Sequence, residues 1–295
     1  MQIDRLSLRG FRNYEDAQAQ FVPGVNLLVG GNANGKTNLL EAVSYLSTGH
    51  SFRTRREAEL IRFGAEFAEL RAQVQSQERT RELRAVLFSG RRPRQLWLNG
   101  VKQRSRAALS GVLTSVLFCP EDLLILKKGA AGRRRLMDGV ICQLRPNYEA
   151  ALAEYGRLLD QKSALLRERY DNPSLLQVLP EYDLRMAQTG ALVISYRARY
   201  VKALAQEAAR YHREFSGDSE TLELTYRTVS TVTDPFAPPE TLCAQLQEHQ
   251  RSHARAELES AQCLSGPHKD DFEAVINGLP VAQFASQGQT RTAVI

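Results

Sequence analysis

One stretch, residues 26–43, constrains this chain more than any other; it reads N-L-L-V-G-G-N-A-N-G-K-T-N-L-L-E-A-V. An apolar run over 25–29 ends at Gly30. The pattern G-x-x-x-x-G-K-T follows (Gly30, Gly35, Lys36, Thr37), and then come apolar residues at helical spacing, Leu39, Leu40, Val43 and Leu46. Strand, glycine loop and helix in that order form the context a phosphate-binding P-loop requires. Gly30 and Gly35 let the backbone turn sharply and bring its N–H groups close to phosphate oxygens, and the helix N-terminus adds partial positive charge. The pattern sets Gly30, Gly31, Asn32, Ala33, Asn34, Gly35, Lys36, Thr37 and Asn38 around a nucleoside triphosphate. Lys36 is placed to neutralise the β- and γ-phosphates and the Thr37 hydroxyl to ligate Mg²⁺.

At 295 residues the chain is long enough for one large domain or two ordinary ones. A hydrophobic content of 43% with 24% charged residues is that of a soluble globular protein. The net charge of +6 is compatible with nucleic acid or phosphate partners without establishing them. Four scattered cysteines (Cys119, Cys142, Cys243, Cys263) with no C-x-x-C pair indicate neither a disulfide framework nor a zinc knuckle. His249 and His253 stand one helical turn apart and read as polar positions on a solvated helix rather than a metal site. The N-terminus lacks the apolar core of a signal peptide, and no window approaches the run of about 18 apolar residues that a membrane span needs. The expectation is a cytoplasmic protein with no membrane partner.

Read in order, residues 2–9, 18–22 and 25–29 have strand-like spacing, with Pro23-Gly24 as a turn. A basic loop follows the P-loop helix. Strands are expected at 67–75 and 80–88, then a tight hairpin on Asn99-Gly100, which supplies the positive φ of a type I′ turn. Residues 115–119 read as a short buried strand broken by Pro120. From Asn147 to about Phe215 the periodicity is helical, with stripes at Leu152, Tyr155, Leu158, Leu159 and at Leu192, Tyr196, Tyr200, Leu204. Thr221 to Tyr226 reads as a strand, Pro238-Pro239 opens a helix to about Ala261, Asp271 to Ile276 is a strand, and a helix starts at Ser286. The fold class is α/β, a mixed sheet with antiparallel strands around the P-loop helix. The expected organisation is a head formed by 1–145 and 216–295, with an inserted helical arm at 146–215.

A P-loop alone leaves kinases, GTPases, helicases and ABC-type ATPases open. Far downstream, Ser286-Gln287-Gly288-Gln289 resembles the S-x-G-Q signature of ABC-type ATPases. A serine and a glycine at a helix start present a hydroxyl, a bare backbone N–H and a dipole to an anion. The same tetrapeptide is also an ordinary serine N-cap with a turn glycine. The motifs around it decide the reading: L-R-G-F-R-N (8–13), G-N-A-N-G-K-T-N-L-L-E-A (31–42), G-H-S-F-R-T (49–54), P-E-D-L (120–123), K-G-A-A-G-R-R-R-L-M-D (128–138), G-P-H-K-D-D-F (266–272) and S-Q-G-Q. In this order, and over essentially the whole chain, they resemble the RecF family, the recombination mediators of the SMC/Rad50 branch of ABC-type ATPases.

The resemblance implies a head that forms a homodimer around two ATP molecules with Mg²⁺, binds duplex DNA or single-strand gap junctions, and works with RecR to load recombinase. Lys36 and Thr37 carry over as phosphate and Mg²⁺ ligands, and Ser286, Gln287, Gly288 and Gln289 as the signature acting on the other copy's nucleotide. Glu121 and Asp122 stand near the family's Q-loop position, as Mg²⁺ or water contacts or as plain surface acids. His268 to Asp271 read as a loop joining arm to head. Slow hydrolysis belongs to the family, but its Walker B carboxylate would follow Ile295, so no catalytic base can be named and turnover by these residues is not expected. Candidate DNA-phosphate contacts are Arg53, Arg55, Arg56, Arg91, Arg92, Arg94, Lys127, Lys128, Arg133, Arg134 and Arg135. Two other readings remain open: a P-loop small-molecule kinase, and a non-hydrolysing scaffold that uses ATP only to dimerise.

Overall fold

Period-two alternation in the first hundred residues builds a sheet on one face of the P-loop helix. The computed structural model describes residues 1–54, 56–76, 79–169 and 172–295. β1 (Gln2–Phe11) turns through Arg12, at φ 53, into β2 (Tyr14–Gln20), and α1 (Lys36–Thr48) follows the glycine loop. β3 (Phe67–Ser76), β4 (Arg79–Phe88), β5 (Gln95–Leu98) and β6 (Val101–Gln103) complete an antiparallel sheet in the order β2-β1-β3-β4-β5-β6. Asn99 at φ 49 and Gly100 at φ 76 make the tight turn between β5 and β6, as the sequence requires. Alternate residues Leu6, Leu8, Leu70, Ala72, Leu83, Ala85 and Leu87 point to one face and bury against Leu39, Ala42, Tyr45 and Leu46 of α1. Each large aliphatic side chain buried there contributes about 1.5–3 kcal/mol.

Two expected strands do not form. Residues 25–29 and 115–119 lie outside regular structure, with Val25 92%, Leu27 83%, Val29 81% and Val116 96% exposed. Alternating apolar residues become a strand only where a neighbour accepts their backbone hydrogen bonds, and among the described residues no strand pairs with either segment.

After a short 3₁₀ turn at Pro120–Leu124, the chain becomes helical: α2 (Ala130–Leu144), α3 (Pro146–Glu168) and α4 (Leu179–Ser216). β7 (Leu222–Arg227), α5 (Pro239–Ser260), β8 (Asp271–Ile276), β9 (Leu279–Pro280), α6 (Val281–Phe284) and α7 (Gln287–Val294) follow. β7, β8 and β9 make a second antiparallel sheet. The stripe expected on α3 is the packed one, with Tyr155 and Leu158 buried. On α4 the buried row is Ala187, Ala191, Ile194, Ala198 and Val201, whereas Leu192 is exposed. Small residues win this face because α5 comes close: a Cβ at Gly190 would stand 3.2 Å from Leu246 and 3.1 Å from Pro267.

By internal contacts the chain divides into residues 1–117 with 142–146, and 118–141 with 147–295. The boundaries anticipated at 145/146 and 215/216 differ from this division, because α4 packs on α5 and β7 within one unit.

That larger unit is pinned by a buried guanidinium. Arg197 of α4, 3% exposed, donates to both carboxylate oxygens of Asp138 on α2 (2.9 and 3.0 Å), to Asp270 (3.0 Å) and to the Pro267 carbonyl (2.6 Å). Asp270 is fully buried and also accepts from Tyr226 on β7 and from Thr228 (2.6 Å). Removing one partner of a buried pair strands the other charge, at a cost of about 3–5 kcal/mol. Asp270→Ala is therefore expected to lower unfolding stability by about that amount. Urea denaturation followed by circular dichroism checks it, and a loss below about 1 kcal/mol, the level of an exposed pair, would show that the pair is not the pin.

Candidate nucleotide-binding site

The glycine loop is held from behind and open in front. Residues 30–34 are exposed and outside regular structure, and Gly35, at φ 91, is the N-cap of α1. Lys36 Nζ donates to the Gly30 carbonyl (2.8 Å) and the Gly31 carbonyl (2.6 Å), so the ammonium group spans the loop. Both acceptors are neutral. Phosphate oxygens make stronger, charge-assisted bonds to an ammonium, so a triphosphate at the helix N-terminus displaces them. The Thr37 side chain is exposed and makes no hydrogen bond among the described residues, which leaves its oxygen available to a cation. These features fit a magnesium nucleotide: Lys36 and the α1 N-terminus would meet the phosphates and Thr37 the metal, whose charge would offset that of the phosphates.

The β1–β2 turn backs this loop. Tyr14 Oη donates to the Gly35 carbonyl (3.1 Å), and a Cβ at Gly35 would fall 2.7 Å from Asn13 Oδ1 and 2.8 Å from Tyr14 Oη. Only glycine fits there. Asn38 donates to Asn13 (2.7 Å) and accepts from Arg53 (2.7 Å). One turn into α1, Glu41 is fully buried; it accepts two bonds from Arg12 (2.8 and 2.7 Å) and one from Ser51 (2.5 Å), with Arg53 at 3.5 Å. Arg12, Asn13, Tyr14, Glu41 and Ser51 were not singled out from the sequence as site residues. Arg12, Asn13, Glu41 and Ser51 did lie inside motifs quoted from the sequence, and Glu41, an acid between apolar neighbours, is one that burial obliges to find a cation.

In the other unit, Ser286 caps α7. Its hydroxyl accepts from the Gln289 amide (3.1 Å), while Gln289 Oε1 accepts from the Ser286 amide (2.9 Å), a reciprocal capping box. Ser286, Gln287 and Gly288 are exposed, so the turn is open to another molecule. Gln289 Nε2 reaches further, to Glu220 (2.8 Å), whose second oxygen meets His212 Nε2 of α4 (2.9 Å). A carboxylate only accepts, so His212 carries its hydrogen on Nε2, and its buried Nδ1 has no partner among the described residues. Glu220 and His212 bore no motif that would have marked them.

The remaining candidates divide by what they touch. Glu121 is exposed, and Asp122 Oδ2 accepts from the Cys119 amide (2.8 Å) as the cap of its own 3₁₀ turn. Arg94 is spent on Tyr45 (3.2 Å), the Gly49 carbonyl (2.9 Å) and Glu57 (2.5 Å). Arg133 makes a two-pronged pair with Asp271 (2.6 and 2.7 Å), which raises its pKa, and Arg134 donates to the Asp270 carbonyl (2.6 Å). Lys127 donates to the Ala285 carbonyl (2.9 Å), just before the capping serine, and Arg92 lies over the Phe88 ring at 4.2 Å. Arg56, Arg91, Lys128 and Arg135 are exposed, their side chains without such ties among the described residues, and Arg55 lies outside the described residues. His268 accepts from Tyr155 (2.7 Å) and donates to the Cys263 carbonyl (2.9 Å); burial pushes its pKa down to about 4. A Cβ at Gly266 would collide with that tyrosine hydroxyl at 2.3 Å.

Residues 2–269 match the family model of the RecF/RecN/SMC N terminal domain. The chain is similar to the DNA replication and repair protein RecF of Symbiobacterium thermophilum, 40% identical over 100% of this chain and 78% of the relative. It is also similar to that of Synechococcus sp. strain JA-2-3B'a(2-13), 38% identical over 100% and 78%. Among solved structures it is similar to the recombination mediator protein RecF-ATP of the RecFOR pathway, with a TM-score of 0.92, 30% identity, and coverage of 99% of this chain and 78% of the other.

If Glu220 braces the capping box, Glu220→Ala speeds hydrogen exchange of the Ser286 and Gln289 amides about fivefold, the equivalent of one weakened cap of about 1 kcal/mol. Exchange mass spectrometry of the peptide spanning the turn reads this directly, and unchanged protection would remove Glu220 from that role.

Proposed function

The chain belongs to the RecF family of DNA replication and repair proteins and has its ABC-type head fold; on that premise we propose that it is an ATP-gated DNA-binding protein of recombinational repair. ATP with Mg²⁺ occupies the loop from Gly30 to Asn38. The triphosphate held at Lys36 of one copy is contacted by the Ser286–Gln289 turn of a second, so that nucleotide links a homodimer. The dimer binds duplex DNA or a single-strand gap junction through phosphate contacts and acts with RecR in the cytoplasm to help load recombinase. The observation that carries the reading is chemical: two motifs, each presenting a helix N-terminus to solvent, one with an ammonium parked on neutral carbonyls and one with an exposed serine–glycine turn. The ATP form of the similar RecF structure supports the choice of nucleotide.

Two substitutions separate the steps. Lys36→Ala removes the cation that faces the phosphates, and affinity for a fluorescent ATP analogue is expected to fall about 10- to 100-fold. Ser286→Arg leaves that affinity unchanged but puts bulk and charge where the second copy's phosphate would sit, so the ATP-dependent rise in mass seen by light scattering is expected to vanish. A dimer mass for Ser286→Arg equal to wild type would refute the contact between copies.

A further inference from the structure

The two faces of β4 treat their arginines differently. On the outer face, Arg84 pairs with Glu69 (2.8 Å) and lies over the Trp97 ring at 4.5 Å, while its cross-strand neighbour Arg71 pairs with Glu69 (3.0 Å) and Glu82 (3.8 Å). Those cations are neutralised where they stand. On the inner face the stripe of alternate residues runs Leu87, Ala85, Leu83, Arg81, Arg79: three buried apolar side chains, then two arginines at the same pleat positions. Both pair through their backbones with β3, but among the described residues neither the Arg79 nor the Arg81 side chain has an ion pair or a hydrogen bond.

These two arginines line a cleft of about 660 Å³, together with Thr80, Leu98, Asn99, Ala108, Ser110 and Val112. Among the described residues no carboxylate lines it. A stripe that ends in two guanidinium groups with no side-chain partner among the described residues, beside Asn99 and a Ser110 hydroxyl that donates to the Cys142 carbonyl, can receive an anion larger than a single ion. Alternate residues of a strand stand about 6.6 Å apart, so the two forks can engage successive phosphates of one strand. Carboxylates of an acidic peptide would suit the charge, but a net charge of +6 on the chain and the regular step between the forks favour a phosphodiester backbone.

We propose that this cleft is a phosphate-backbone subsite for nucleic acid, with Arg79 and Arg81 each taking one phosphate. The proposal deepens the DNA-binding part of the reading above and rests on it. Contacts of this kind bind without sequence preference and report themselves through salt.

The test is a salt series of fluorescence anisotropy with labelled duplexes of two unrelated sequences, on wild type, R79A/R81A, R79K/R81K and R71A/R84A, each checked for folding by circular dichroism. R79A/R81A is expected to reduce the slope of log affinity against log salt by about 2, one unit per lost phosphate contact, equally on both sequences. R79K/R81K keeps the wild-type slope, and so does R71A/R84A, whose arginines are already paired. A wild-type slope in R79A/R81A, or an equal loss in R71A/R84A, overturns the proposal, and so does a charge-preserving R79K/R81K variant that loses the slope. If R79A/R81A does not fold, R79Q/R81Q takes its place. If wild type binds no duplex, the DNA reading fails by itself. The cleft is then decided by titrating a short single-stranded oligonucleotide while following the arginine Nε–H resonances: shifts at Arg79 and Arg81 support it, and their absence, or shifts only with polyglutamate, overturns it.

Discussion

The larger unit depends on one charge that cannot reach water. Arg197 sits in the middle of a 38-residue helix, and its guanidinium is shared between carboxylates from α2 and from the segment leading into β8. Helix α3 joins through Tyr148, whose hydroxyl donates to Asp138 and lies 3.1 Å from Arg197. β7 joins through Tyr226. A buried cation of this kind is held only where every donor has an acceptor, so the arrangement tolerates few alternatives. Two of the motifs quoted from the sequence, 128–138 and 266–272, are the two sides of this arrangement. Arg133 and Arg134 reach from one to the other beside it.

The smaller unit follows the same logic on a smaller scale. Glu41 is buried one turn into α1, and Arg12, Ser51 and Arg53 converge on it from two segments. This fixes the helix whose N-terminus carries Lys36, while the loop ahead of it is bound to little except its own lysine. The Ser286 turn is likewise backed, by Glu220 and Lys127, and open in front. Rigid backing with an exposed face suits the phosphate contacts proposed for both turns: the donors are already aimed, and only side-chain tips must move.

Legibility from sequence followed the range of the interactions. The elements β3, β4, α5, β8 and the cap at Ser286 were readable because short-range rules specify them: alternation, Pro-Pro, Asn-Gly, and serine three residues ahead of glutamine. The glycine loop and the helix that follows it were readable because glycine and lysine at fixed spacing have few other uses. Residues 25–29 and 115–119 misled because a short apolar run states a capacity to pair, and the partner is a tertiary fact. The α4 stripe misled because tyrosine and leucine outweigh alanine in any hydrophobic count, while close helix packing prefers alanine. The arginine clusters were the least legible. Nothing in R-R-R says that Arg133 will lie against Asp271 while Arg135 faces solvent; that choice is made by an acid more than a hundred residues away.

The extended segment from Val25 to Val29 carries a consequence for the molecule in bulk. Its backbone amides and carbonyls make no hydrogen bonds among the described residues, and every second side chain is a bare aliphatic one. Such a ribbon is a template on which another chain can add a strand, and charge repulsion from a modest net +6 is a weak guard at ordinary ionic strength. The segment thus adds an edge on which copies can associate in concentrated solution, an association that salt favours by screening their like charge.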